Sequence, residues 1–182
     1  MSGKTLFCLM SLFIFGLVNL YADVSYETRK IIIRFNKLRD ELPWSVGSTN
    51  YEEGKKLISD SKKIYKYSSD LDKLNLRYVR CCTNLILACS CIRQGSWTSK
   101  NVATYYLGVA LKDVGIGAAI FTKGKNQEYT AVWENVRQDY TKITTEYHTE
   151  LYEGAKMIKN MIVNLKKLLD NPEKSSETED VN

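Results

Sequence analysis

The chain has 182 residues, with 26 Lys and Arg against 21 Asp and Glu and a single His. That length suits one domain, and the net charge of +5 is spread along the chain. This distribution excludes the basic stripe with interleaved aromatics expected of a nucleic-acid binder. No glycine-rich phosphate loop, metal-ligand spacing or nucleophile motif is present, which argues against an enzyme and against a bound cofactor.

Lys4 precedes an apolar run from Leu6 to Leu20. The run matches a signal-peptide core and falls short of the ~20 residues of a bilayer span. Ala22 supplies a small residue before Asp23, although Leu20 fits poorly two positions earlier. Residues 1–22 read as a signal peptide, with an uncleaved anchor as the alternative, and the protein reads as secreted. Removal leaves 182 − 22 = 160 residues and lowers the charge to +4, because Lys4 departs. Cys8 departs too, so four cysteines remain, an even number in an oxidising compartment. No Asn-x-Ser/Thr sequon occurs, so no N-glycan is expected.

A single helical-bundle domain is expected over 23–171. Its only proline is Pro43, and nothing between Pro43 and Pro172 forbids a helix. A first helix is predicted over about 23–42, with Asp23 as N-cap and Val24, Thr28, Ile31, Phe35, Leu38 and Leu42 on one face. Asn50 and Glu53 form an approximate capping box for a second. There a seven-residue column of Leu57, Ile64, Leu71, Tyr78, Leu85 and Ile92 stands beside a small one of Gly54, Ser61, Ser68, Asn75, Cys82 and Cys89. Six uninterrupted heptads predict one helix over 50–93, about 44 residues and ~66 Å long.

The stretch CCTNLILACSC spans 81–91. Cys82 and Cys89 continue the small column, Cys81 flanks it, and Cys91 should face water. On a continuous helix Cys82 and Cys89 stand ~10.5 Å apart, beyond the ~7 Å limit for a disulfide. An intrachain disulfide among Cys81, Cys82, Cys89 and Cys91 therefore needs the helix to break between 84 and 88. Free thiols, such a fold-back, and a link between chains through Cys91 all stay open. A metal site is not expected, because the thiols spread round the helix. Leu76 and Leu87 fall opposite the seam and form a candidate interaction face for a partner or a second copy.

VATYYLGVALKDVGIGAAIF, residues 102–121, belongs to a helix predicted over 99–121. It is apolar nearly all round, which marks a central buried helix or a membrane-seeking segment. Asp113 is expected to pair with a lysine or meet solvent. Val114, Gly115, Ile116, Gly117, Ile120 and Phe121 are the candidate membrane or ligand contacts. The last helix, over 126–169, repeats every eleven residues, as in Tyr129, Tyr140, Leu151 and Ile162, and should run nearly straight. His148 lies at the edge of its buried face. Residues 172–182 are polar and acidic and are expected to form a disordered tail.

Together these features predict an all-α, elongated antiparallel helical bundle with two long helices of ~44 residues and two shorter ones. A bundle with an apolar, glycine-containing tongue is similar in outline to helical pore-forming toxins and apolipoprotein-like membrane binders. The expected function is non-enzymatic binding of another macromolecule, either an unknown protein or a second copy in a homo-oligomer. The alternative is lipid or membrane binding, or a pore-forming-like action, through 102–121.

Overall fold

The computed structural model describes residues 24–174. Over these the chain is all-helical, with seven helices and no strand among the described residues. The expected signal peptide lies outside them, as do residues 175–182 of the expected tail.

Helix α1, Tyr26–Asp40, begins where the Ser25 hydroxyl accepts the Thr28 N–H at 3.4 Å. It buries Thr28, Ile31, Ile32, Phe35 and Leu38, the stripe expected from 3.6-residue periodicity. Helix α2, Thr49–Tyr65, is capped in the same way by Ser48. Between them Trp44 folds inward to 1% exposure, and its indole N–H donates to the Leu38 carbonyl at 3.0 Å. Gly54 makes this possible, because a Cβ there would stand 2.7 Å from the Trp44 ring.

The single helix expected over 50–93 is two. Helix α3, Asp70–Gln94, starts afresh after a break at residues 66–69. Local polar chemistry overrides the heptad there. The Ser68 hydroxyl donates back to the Ile64 carbonyl at 2.9 Å, while the Ser69 hydroxyl accepts the Asp72 N–H at 3.1 Å. Ser69, Asp70 and Asp72 together are an N-cap followed by an acidic first turn. The heptad column continued across the break because each helix separately turns that face to the core.

Helix α3 is the centre of the protein. Twenty of its 25 residues are buried, and it packs against α1, α2 and three helices that follow it in sequence. Gly95, with φ of 78°, closes α3 in the left-handed region, and Ser96 caps α4, Trp97–Gly124. The tight turn lays α4 back along α3. Its inner face of Ser99, Ala103, Leu107, Ala110, Gly117 and Ala118 is mostly small and lets the two backbones approach.

The straight helix expected over 126–169 is three: α5, Gln127–Glu146, α6, His148–Glu153, and α7, Lys156–Asp170. The first break is at Tyr147, whose ring is fully buried against the Trp44 loop. The second is at Gly154, where the backbone turns extended with ψ of 156°. The eleven-residue repeat survives because the segments on either side present the same face inward. Helix α7 runs beside α4, with the Met161 methyl 4.0 Å from the Cβ position of Gly108. Residues 172–174 form a short turn instead of opening the tail, and Glu173 pairs with Lys125 at 2.8 Å.

Candidate functional site

All four described cysteines are free and buried. Helix α3 is continuous from 70 to 94, so the fold-back that an intrachain disulfide needs does not occur. Cys91 does not face water. It is 2% exposed, with its sulfur 3.3 Å from the Tyr51 hydroxyl, because α2 covers that side of α3. A link between chains through Cys91 therefore has no accessible thiol. Burial pushes the thiols of Cys82, Cys89 and Cys91 up from their ordinary value and holds them as unreactive SH groups.

Leu76 and Leu87 are not an outer interaction face. Both are 0% exposed, since α3 is enclosed around its circumference and has no solvent side at these positions. Sequence periodicity marks one apolar seam and cannot show that a helix is covered on every face.

The stretch at 114–121 divides by side. Val114 and Gly117 are buried, while Gly115, Ile116, Ile120 and Phe121 are half-buried. Phe121 stacks on Trp133 with ring centroids 5.2 Å apart and planes 8° from parallel. No helix among the described residues is long and apolar enough to cross a membrane. The central buried helix is α3, and α4 is a wall.

Asp113 meets arginines and not a lysine. Arg77 Nη1 donates to its carboxylate at 2.5 Å, and Arg80 Nη2 lies 2.9 Å away. The Arg77 guanidinium also sits 4.3 Å from the Tyr65 ring centroid. Burial raises the Asp113 pKa above 3.8, opposed by the charges of Arg80 and Arg77. This triad ties α4 to α3.

A second buried carboxylate had no prominence in the sequence. Asp139 on α5 accepts the Tyr78 hydroxyl, in a short hydrogen bond, and the Arg39 guanidinium at 3.1 Å. Its one legible signal is an Asp within the apolar stripe of Val132, Val136, Tyr140 and Ile143. The network joins α1, α3 and α5.

His148 is exposed and not at a buried edge. It stands in the wall of a groove of about 550 Å³ between the end of α5, α6 and α7, lined also by Thr145, Leu151, Tyr152, Lys159 and Val163. The imidazole stacks with Tyr152, centroids 6.5 Å apart, and the Lys159 ammonium lies 5.0 Å from the same ring. Among the described residues no group of three or more His, Cys, Asp or Glu is placed to hold a metal ion. The groove supplies an apolar bed with a cationic margin, which suits binding.

The fold leaves further large apolar side chains uncovered, among them Tyr26 and Ile33 on α1 and Tyr67 after α2. Tyr152 and Met157 lie on the α6–α7 side, and Trp97 and Tyr105 on α4; Trp97 is 79% exposed. Helical periodicity missed these because the face they occupy also carries lysines. Comparison with known protein families, with curated proteins and with solved structures finds no match.

Proposed function

We propose that the chain is a secreted, non-enzymatic helical protein that binds another macromolecule through the groove formed by α5, α6 and α7. The observation that carries this reading is a mostly apolar groove with exposed apolar side chains in its wall: Tyr152 is 73% and Val163 50% exposed there. The arginine–carboxylate groups, in contrast, are enclosed and joined to one another. Exposed apolar clusters of this kind are where soluble proteins meet partners.

The test is saturable binding of fluorescently labelled mature protein to intact cells. The double variant Tyr152→Asp/Val163→Asp should keep its helicity and melting temperature, because both residues are exposed, and lose cell binding. Undiminished binding by the folded variant would refute the groove as the contact face.

We also infer that the bundle is elongated, with α4 lying along α3. A radius of gyration from X-ray scattering above the ~15 Å of a compact domain of this size tests that shape.

A further inference from the structure

We propose that the macromolecular surface this protein meets is an anionic lipid bilayer, contacted peripherally by the outward sides of α4 and α7. The proposal rests on the binding reading above, names the partner and extends the contact from the α7 side of the groove to α4.

The first support is an asymmetry of charge. Helices α1 and α2 carry five carboxylates, and most of their cations are paired, as in Arg34 with Glu53 and Asp60, Lys55 with Glu52, and Lys63 with Asp60, while Lys37 and Lys62 form no ion pair among the described residues. Helices α4 and α7 differ. They carry seven lysines, Lys100, Lys112 and Lys123 on one and Lys156, Lys159, Lys166 and Lys167 on the other. Their only carboxylates are Asp113, sequestered by two arginines of α3, and Asp170, which is held by Lys166. Lys112, Lys156 and Lys167 project into solvent and form no ion pair among the described residues.

The second support is what lies between the lysines. Trp97 and Tyr105 on α4 and Met157 and Val163 on α7 are each at least half exposed. The two helices run side by side, each carrying exposed apolar residues among its lysines, and on the far side of α7 Lys159 and Val163 also line the groove. Trp and Tyr settle where an apolar ring meets a wet headgroup layer, and lysine stems reach from apolar surface to phosphate. Interfacial helices combine these side-chain types. An acidic protein would match the charge, but protein interfaces concentrate their energy in one desolvated cluster. Here single apolar residues are spaced along two helices among separate cations. No described helix crosses a bilayer, so contact is with the surface.

Tryptophan fluorescence reads the contact directly. Trp44 and Trp133 are buried at 1% and 4% exposure, so Trp97 is the one indole open to solvent. Mature protein is mixed with phosphatidylcholine vesicles and with vesicles containing phosphatidylserine, then sedimented. The expected result is co-sedimentation only with phosphatidylserine, release by high salt, and a blue shift of emission that Trp97→Phe abolishes. The triple variant Lys112→Glu/Lys156→Glu/Lys167→Glu should partition at least a hundredfold less, since one lysine near an anionic surface is worth about fivefold. A control with the same net charge, Lys37→Glu/Lys62→Glu/Lys66→Glu on the α1–α2 side, should stay bound. All six lysines are exposed, and unchanged helical circular dichroism confirms folding.

No binding to phosphatidylserine vesicles, equal binding to phosphatidylcholine alone, or equal loss in the control overturns the proposal. If vesicles are ignored while the cells of the preceding experiment are bound through Tyr152 and Val163, the lipid assignment fails and the binding reading stands. If neither is bound, both fail.

Discussion

The hydroxyl of Tyr147 accepts the backbone N–H of Trp44 at 2.6 Å, joining positions 103 apart in the chain, and stands 3.0 Å from the Ser90 hydroxyl. One phenol thus ties the α1–α2 loop to the central helix and the α5–α6 joint. Tyr147→Phe keeps the ring and leaves the buried Trp44 N–H without an acceptor. An unmet buried donor costs about 1–3 kcal/mol. Urea unfolding should show a lower midpoint by that amount with an unchanged slope, and full retention of stability would show that the bond contributes nothing.

Two glycines should respond oppositely to alanine. At Gly54 the new methyl would meet the buried Trp44 ring at 2.7 Å, and overpacking of this kind costs about 1–3 kcal/mol. Gly115 has nothing within 4 Å of its Cβ position and lies inside α4. Alanine there gains about 0.5–1 kcal/mol through helix propensity. Thermal melts of the two variants should move in opposite directions.

The four thiols should be silent in the native state. Mature native protein treated with a thiol-specific chromogenic reagent should react only as fast as it unfolds, and after denaturation it should titrate four groups at once, Cys8 having left with residues 1–22. Mass after alkylation without reduction should equal mass after alkylation with reduction. A gain of two alkyl groups after reduction would reveal a disulfide.

Buried Asp139 makes stability depend on pH in a direction opposite to surface carboxylates. Burial raises its pKa above the ordinary 3.8, with the Tyr78 hydrogen bond and the Arg39 charge pulling it back. The folded state therefore keeps this proton to higher pH than the unfolded chain, and its contribution to stability declines as pH rises above 3.8 through the folded value. Asp40 and Asp60 are lowered, chiefly by hydrogen bonds from Lys142 and Lys63 respectively. Their contributions are complete above 3.8 and disappear as pH falls through the lowered values. Asp139→Asn removes the declining component and strips Arg39 of its buried partner. The variant should melt lower than wild type throughout, yet its melting temperature should climb more steeply with pH above 3.8. Parallel curves would show that Asp139 does not titrate differently on folding.

Periodicity and caps alone determined that the described chain is helical, and placed the turns near Pro43, Gly95 and residues 124–126 within a few positions. They did so because burial of a helix face and the stop imposed by proline or glycine are local properties. The same pattern concealed two kinds of break. At Ser68 and Ser69 hydroxyls competed for backbone groups, and the Ser-x-x-Asp signal was present but outweighed by the heptad. At Tyr147 the deciding contact lies 103 residues away and left no local trace.

How many sides of each helix are covered was a tertiary decision. Leu76, Leu87 and Cys91 lie where a helix wheel calls for solvent, and they are buried because α3 is surrounded. The apolar α4 looked like the centre and is a wall with Trp97 and Tyr105 left open. A sequence records how apolar each face is. Only the packed chain decides which faces find a partner, because that depends on where distant helices dock.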